Sequence, residues 1–389
     1  MKKIHLLLLL LFCCTILYSQ ESTPKSFLDA NLDITTDSDK SEIFNLWNNY
    51  LSSMPDSLYD NPYWNQAEKA KYKSYDLLKS EGFLTPGLYG FDWLKNVVIS
   101  IISHGDYYVI RSIFYWDDTA HINLMAIANV VAKKENGAYK LYNWLPFYTR
   151  NWFERQVGLI RYKYHPQHPF NISKAEKANE LIQFLTDKFD IKVDNIEYYI
   201  APNCLEIMRL KGFDHVAGDG NNLNNLCGFY DRFNNIIYSN SVKGENYEHE
   251  IVHLINNFFP DAHGLFLNGL SDYFIEDNIK TGLSITEHFR RMDDYLTKHP
   301  EINLNEFDTF YELDGITSPS YFLGLMLCHL CMKKGGIDLL KEALSFGAED
   351  DDLYRFIEQK LNIARNDINK ISRKIIHQFA KDGFVPYKL

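Results

Sequence analysis

The chain has 389 residues, of which 46% are hydrophobic, and a formal net charge of -11 at pH 7. This length suffices for two domains with separate cores. The acidic balance argues against nucleic acid or an anionic membrane as a partner, since both need a basic surface. No stretch after the amino terminus approaches the run of about 18 apolar residues that a membrane-spanning helix needs, so we expect no transmembrane segment.

Residues 1–19 have the layout of a cleaved secretory signal, with two lysines followed by the apolar run Leu6–Phe12. The sequence therefore predicts an exported protein, periplasmic or extracellular. Cys13 and Cys14 would allow lipidation and membrane association, but no small residue precedes them. Removal of the signal changes the formal charge to -13, because two lysines and no acidic residue are lost.

The sequence pattern of the amino-terminal part predicts an α+β domain over residues 41–165. A polar, flexible leader is predicted before it, over residues 20–40. Helical spacing of apolar residues extends over residues 41–85. An antiparallel meander follows, with a tight hairpin turn at Asn136-Gly137. Its predicted strands are Asn96–Ser103, Tyr107–Trp116, Asn123–Ala132 and Tyr139–Trp144.

The segment His165–Pro169 predicts a domain boundary, because its two prolines end any regular element. His165 and His168 lie beside these prolines, and we favour a structural role for both over metal binding. A second domain is predicted over residues 173–389. Its expected elements are helices at Ser173–Phe189 and Asn203–Lys211, strands at Ile196–Ala201 and Asn234–Ser239, a Gly- and Asn-rich loop at Gly218–Asn225, and carboxy-terminal helices at Tyr321–Lys334, Ile337–Ser345, Asp351–Leu361 and Asp367–Ala380.

Four cysteines follow the predicted signal. In an oxidising compartment Cys204 and Cys227 could form a disulfide. Cys328 and Cys331 have the spacing of a thiol redox or zinc motif, but they lie in an apolar run with no partner motif and no preceding strand. We therefore expect a buried pair on a helix and disfavour a redox protein.

The pentad His249-Glu250-Ile251-Val252-His253 carries the clearest chemical signal. On an α-helix, residues four apart lie on one face, so the two histidines can bind one Zn2+ ion with Glu250 beside it as a general base. A helical wheel over His249–Phe259 gathers these three side chains, with Asn256 and Asn257, in an arc of roughly 120°, while apolar residues fill the rest. The alternative is a packed helix with solvated histidines.

The segment Asn268-Gly269-Leu270-Ser271-Asp272-Tyr273 resembles the second helix of the gluzincin metallopeptidases, the thermolysin-like superfamily in which HExxH is followed by a helix with an ExxxD pair. The resemblance runs from about residue 173 to the carboxy terminus. It implies a metallopeptidase domain with a small sheet, an HExxH helix and a helical lobe. It also implies zinc as the cofactor and a peptide or protein as the substrate.

Asn268 stands where the family has its glutamate ligand. Its neutral amide oxygen can coordinate zinc, but more weakly than a carboxylate. Asp272 corresponds to the acid that orients the first zinc histidine. One alternative is that Asp272 is itself a ligand, and another is that the site has no third protein ligand. His263 and Asp261, in the connector, are weaker candidates.

The resemblance implies that Glu250 takes a proton from the attacking water and returns it to the leaving amine. It also implies an oxyanion donor from the later lobe, for which Tyr311 and Tyr321 are candidates, although Tyr321 is expected to pack within its helix. Because of Asn268, two functions stay open: an exported zinc metallopeptidase, or a catalytically impaired relative that acts as a binding or assembly module. The sequence does not indicate an oligomeric state.

Overall fold

The structure, a computed structural model, describes residues 26–53, 62–71, 94–118, 120–217, 227–275, 282–310 and 313–386. The predicted signal, the Gly218–Asn225 loop and Tyr311 lie outside these residues. The chain is mixed α+β, as predicted, and forms two compact units. The first comprises residues 1–147 and 211–220, and the second comprises residues 148–210 and 221–389.

The first unit contains a six-stranded sheet. Its strands are β1 (Ser26–Leu28), β2 (Lys95–Ser103), β3 (Tyr107–Asp117), β4 (Ile122–Glu135), β5 (Ala138–Tyr142) and β9 (Phe213–Val216). Strands β2 to β5 form the predicted antiparallel meander. At the β4–β5 turn Asn136 and Gly137 both have positive φ, 49° and 90°, which matches the twist of the flanking strands. Strand β9 pairs antiparallel with β4.

Helices α1 (Ser38–Ser53) and α2 (Gln66–Lys71) also belong to the first unit. Trp47 and Tyr50 of α1 are fully buried. The Trp47 indole N–H donates to Asn96 Oδ1 at 3.1 Å, so α1 is fixed to β2. The structure differs here from the predicted flexible leader over residues 20–40, because β1 pairs parallel with β2 and α1 begins at Ser38. The part of the helical prediction beyond Lys71 lies outside the described residues.

The second unit contains a five-stranded sheet in the order β10-β11-β8-β7-β6. The strands are β6 (Phe153–Val157), β7 (Ile160–Tyr164), β8 (Ile196–Ala201), β10 (Phe229–Asp231) and β11 (Ile236–Asn240). Strands β7 and β8, and β8 and β11, pair in parallel.

The division between the units differs from the predicted boundary at His165–Pro169. The hairpin of β6 and β7 was not predicted, and it joins the second sheet through the pairing of β7 with β8. The chain passes from one unit to the other within α3 (Trp144–Tyr148). The two prolines end β7, and the segment after it leads directly into the next helix of the same unit.

Helices make up most of the rest of the second unit. They are α4 (Ile172–Phe189), α5 (Cys204–Leu210), α6 (Glu248–Val252), α7 (Gly264–Tyr273), α8 (Ile285–Lys298), α9 (Pro319–Leu344), α10 (Asp350–Leu361) and α11 (Ile368–Asp382). Helix α9 is broken at Gly336, where φ is 64°, which confirms the predicted break between two helices. No helix within the described part of the chain is long and apolar enough to cross a membrane.

The four cysteines of the second unit divide into two pairs. Cys204 and Cys227 form a disulfide, as the sequence allowed. Cys328 and Cys331 are free, buried thiols on α9, which confirms the helical reading of their spacing. Burial raises the pKa of both thiols, so neither is poised to act as a thiolate.

Candidate metal centre

The loop before α6 is held by two buried tyrosines of the parallel strands. The Tyr198 hydroxyl on β8 donates to the Gly244 carbonyl at 2.8 Å and accepts from the Tyr247 amide at 3.1 Å. The Tyr162 hydroxyl on β7 donates to the Glu245 carbonyl at 3.0 Å. The sheet therefore fixes the point at which the pentad begins, and His249 follows within the first turn of α6.

The pentad does not continue as the α-helix predicted over His249–Phe259. Helix α6 ends at Val252, and a 3₁₀ helix follows over His253–Asn257. In a 3₁₀ helix, side chains three residues apart lie above one another. This geometry sets Asn256 over His253, and the Asn256 Nδ2 atom lies 3.1 Å from His253 Nδ1.

His249 and His253 direct the same ring nitrogen at each other. Their Nε2 atoms are 3.3 Å apart, and the ring planes are nearly perpendicular at 86°. Two imidazoles bound to one tetrahedral zinc at about 2.0–2.1 Å have nitrogens roughly 3.3–3.4 Å apart. The two histidines thus have the spacing of one edge of a zinc tetrahedron.

Asp272 on α7 binds the opposite side of the His249 ring. Its Oδ1 atom lies 2.8 Å from His249 Nδ1, and both side chains are buried. The carboxylate accepts the Nδ1 proton, so the Nε2 atom of His249 keeps its lone pair toward His253. The Asp272 Oδ2 atom is buried and has no hydrogen-bond partner among the described residues.

Helix α7 is positioned by a close crossing with α9. A Cβ added to Gly269 would lie 2.0 Å from the Gly324 carbonyl carbon and 2.2 Å from the Leu325 amide nitrogen. A Cβ added to Gly324 would lie 1.9 Å from the Leu265 carbonyl oxygen. Only glycines allow the two backbones to come this close. Asp272 lies one turn beyond Gly269, so its reach to His249 depends on this crossing.

The two histidines have no third His, Cys, Asp or Glu ligand beside them among the described residues. No group of three or more His, Cys, Asp or Glu side chains converges on a metal position among the residues that the structure describes. Asn268, half-buried on α7, lies one turn before Asp272 and on the same side of the helix. The spacing of the two imidazoles fits zinc. The side-chain oxygen of Asn268 is the further protein donor that the sequence offers at the predicted position.

The surroundings of His249 are aromatic and acidic. Tyr321, at the start of α9, stacks on the His249 ring with centroids 5.9 Å apart and planes at 24°. Burial, together with Asp272 and Glu250, raises the pKa of Tyr321 to about 12, so its hydroxyl stays protonated and can donate. Glu250 is only 3% exposed. Its carboxylate forms no hydrogen bond or ion pair with the described residues, which leaves both oxygens available to a proton donor.

The weaker candidates of the connector lie elsewhere. His263 Nδ1 accepts from the Leu265 amide and so caps α7, while its Nε2 atom lies 3.0 Å from Asp350 Oδ1. Both ring nitrogens of His263 are thus occupied by structural contacts. Asp261 is exposed.

His168 forms a second buried pair with a carboxylate. Its Nε2 atom lies 2.9 Å from Glu245 Oε1, and its Nδ1 atom lies 3.0 Å from Ser241 Oγ. Glu245 also accepts from the Asn171 amide at 2.6 Å. We call these four residues, Ser241, Glu245, His168 and Asn171, the His168 cluster. It ties the start of α4 to the loop before α6, in line with the structural role expected for His168.

Two contacts of the site were not expected from the sequence. Asn256 fell within the polar arc of the helical wheel, and its spacing of three residues from His253 is the available signal once a 3₁₀ turn is assumed. Tyr321 was expected to pack within its own helix, whereas its ring contacts His249. No sequence pattern pairs Tyr321 with a residue 72 positions away.

No protein-family model and no curated protein matches the chain. Among solved structures, the chain is similar to an M1 zinc metallopeptidase from Deinococcus radiodurans, with a TM-score of 0.29, 9% identity and coverage of 76% of this chain and 65% of that chain. A point mutant of that protein gives a TM-score of 0.30, 11% identity and the same coverage. An aminopeptidase N family protein from Idiomarina loihiensis gives a TM-score of 0.35 and 12% identity over 77% of this chain and 56% of that chain.

The chain thus spans less than two thirds of the length of each of these three proteins.

Proposed function

We propose that this chain is an exported zinc-dependent metallopeptidase-like protein, in which His249 and His253 hold Zn2+ and Glu250 is the general base. The observation that carries the proposal is the 3.3 Å distance between the two Nε2 atoms. Further support comes from Asp272, whose contact with His249 Nδ1 is that of an orienting carboxylate. The Cys204–Cys227 disulfide agrees with an oxidising, extracytoplasmic compartment.

We assign Asn268 as the third protein ligand and Asp272 as the residue that orients His249. Asp272 Oδ1 binds the side of the ring that faces away from His253, so this oxygen and the metal would lie on opposite sides of His249. The alternative in which Asp272 is the ligand would require that hydrogen bond to break.

When bound, zinc supplies a Lewis acid that lowers the pKa of water toward about 7 and polarises a peptide carbonyl. The buried Glu250 carboxylate accepts the proton of the attacking water and delivers it to the leaving amine. The protonated Tyr321 hydroxyl is a candidate donor to the developing oxyanion. The substrate class is a peptide or protein.

A second candidate function is a catalytically impaired relative that acts as a binding or assembly module. It is favoured by the lack of a third His, Cys, Asp or Glu ligand among the described residues. A site of two neutral imidazoles and a neutral amide holds a dication less tightly than a site with a carboxylate.

Elemental analysis of the purified protein tests the metal. We expect close to one zinc per chain in the wild type and none in His249→Ala. The proposal fails if the wild type holds no zinc at micromolar zinc concentrations.

Hydrolysis of a mixed peptide library tests the chemistry. Glu250→Gln should keep its zinc and lose about 100- to 10,000-fold in rate, the usual contribution of a general base. Glu248→Gln is the matched control, because the Glu248 carboxylate accepts from the Asn246 side chain instead. A wild type that binds zinc and hydrolyses no peptide would favour the binding module.

A further inference from the structure

We infer that the Cys204–Cys227 disulfide exchanges with external dithiols, and that the Asn240 side chain stabilises the Cys227 thiolate that reduction releases. The inference is independent of the proposed zinc site. Both cysteines are half-buried in the second unit, with Cys204 at the start of α5 and Cys227 in the segment that leads into β10. The disulfide is therefore not enclosed in the core, and partial exposure is a property of disulfides that undergo exchange.

Asn240, the last residue of β11, is fully buried and contacts Cys227 at two atoms. Its Nδ2 atom donates to the Cys227 carbonyl at 3.0 Å and to Cys227 Sγ at 3.3 Å. Its Oδ1 atom accepts from the backbone amides of Val242 at 2.9 Å and Lys243 at 3.1 Å. Because two N–H donors bind the amide oxygen, the orientation of this side chain is fixed, and the sulfur meets an N–H group.

An N–H donor to sulfur contributes more in the reduced protein than in the oxidised one. The sulfur atoms of a disulfide are neutral, whereas reduction can leave Cys227 as a thiolate. Hydrogen bonds to an ionised group are roughly twice as strong as those between neutral groups. The contact with Asn240 thus favours the reduced state, and a disulfide becomes easier to reduce when its reduced form is stabilised.

The reaction partner is a dithiol, either of a protein or of a small molecule. A thiolate of the dithiol attacks one sulfur of the disulfide, the S–S bond breaks, and the other sulfur leaves as a thiolate. The second thiolate of the dithiol then attacks the mixed disulfide and releases the second cysteine. The chain gains two electrons, the dithiol becomes a disulfide, and the two protons of the dithiol pass to the released cysteines or to solvent.

The other two cysteines of the second unit supply an internal reference. Cys328 and Cys331 are buried on α9, and burial raises the pKa of both thiols. Neither should react with a thiol reagent while the chain is folded. Their lack of reaction therefore reports that reduction of Cys204–Cys227 takes place in the folded protein.

Equilibration of the full chain with reduced and oxidised dithiothreitol at pH 9 tests the inference, with alkylation and mass spectrometry of the cysteine peptides as the readout. This pH lies above the ordinary thiol pKa of about 8.5, so the thiolate is populated. Asn240→Ala removes the donor and should lower the equilibrium constant for reduction about tenfold, which is about 30 mV for a two-electron couple. If Asn240 only held the loop, its loss would loosen the oxidised protein and make reduction easier, so the sign of the shift decides.

Two further variants separate the donor from the loop. Asn240→Asp keeps an acceptor for the two backbone amides but presents no N–H to the sulfur, so it should shift the equilibrium in the same direction as Asn240→Ala. Ser239→Ala is the matched control, because it removes the hydrogen bond from Ser239 Oγ to the Gly244 carbonyl in the same loop and leaves the sulfur contact intact. It should stay within about threefold of the wild type, since the thiolate keeps its donor.

The outcomes are distinct. A wild-type disulfide that resists millimolar dithiothreitol until Cys328 and Cys331 also react would overturn the exchange site. Equal or easier reduction of both Asn240 variants would overturn the role of Asn240. A protein that binds no zinc leaves the measurement unchanged, so failure of the proposed function is recognised separately.

Discussion

Two buried histidine–carboxylate pairs in the second unit differ in the group that the second ring nitrogen contacts. His249 and Asp272 are 2.8 Å apart, and His168 and Glu245 are 2.9 Å apart. The other ring nitrogen of His168, Nδ1, forms a hydrogen bond with the Ser241 hydroxyl, so both nitrogens of this ring are used in structural contacts. The other nitrogen of His249 meets a second imidazole at the spacing of two zinc ligands. On this proposal, a buried histidine beside an acid is a candidate metal ligand only when its remaining nitrogen faces another possible ligand.

The largest effect is expected when the His168 pair is broken. His168→Ala leaves the carboxylate of Glu245 buried without its partner and should lower the free energy of unfolding by about 3–5 kcal/mol, measured by urea denaturation. Zinc content should stay unchanged, which separates this pair from His249 and Asp272.

The control is His299→Ala, which removes an exposed pair with Glu301 at 2.9 Å and should cost little stability. Loss of zinc in a folded His168→Ala protein would contradict the division of roles between the two pairs.

The next effect tests the helix crossing that carries Asp272. Gly269→Ala forces α7 away from the backbone of α9 and should cost about 1–3 kcal/mol of stability while it weakens zinc binding. Gly264→Ala lies on the same helix with no atom within 4 Å of the added Cβ, and it should stay within about 0.5 kcal/mol of the wild type. Equal stability of the two variants would show that the crossing does not fix the site.

A third change sharpens the metal side of the comparison. Asn268→Glu adds a negative charge at the proposed third ligand and should tighten zinc binding at least about tenfold. That is about 1.4 kcal/mol, a fraction of the roughly 4 kcal/mol between unit charges 4 Å apart at a dielectric constant of 20. Competition with a chelator measures the affinity. If Asn268→Glu changes nothing while Asp272→Ala abolishes binding, Asp272 is the ligand.

The smallest effect concerns pH and the His168 cluster. Burial by itself raises the pKa of Glu245, but hydrogen bonds from His168 and from backbone amides outweigh it and leave the pKa below its ordinary value. The folded state thus stabilises the carboxylate. This stabilisation is present above the unfolded pKa of about 4.3 and is lost as the pH falls through the lower folded value. Between about pH 5 and 3, the wild type should lose stability more steeply than Glu245→Gln, as measured by urea denaturation at each pH.

Local patterns of the sequence predicted much of the fold. The meander follows from alternating residues and from Asn136-Gly137, whose positive φ values few other residues adopt. The break in α9 follows from Gly335-Gly336. The β6–β7 hairpin was missed because its charged, largely exposed β6 does not look like a strand, and it is held by pairing with β7.

Local patterns likewise predicted only part of the candidate site. Spacing alone predicted that His249 and His253 share a face, and the structure brings their Nε2 atoms to 3.3 Å. The contact with Tyr321 joins residues far apart in the chain, so no local period encodes it. The roles of Asn268 and Asp272 at the metal stay predictions.

The sequence by itself determined which residue types make up the proposed site: two imidazoles, the carboxylate proposed as the base, and an asparagine where the family resemblance implies a glutamate. It did so because helical periodicity is a property of neighbouring residues. Only the tertiary structure decided which ring nitrogen each histidine presents. For His249 that choice depends on Asp272, which lies behind the ring on another helix, and the distance between them is set by packing.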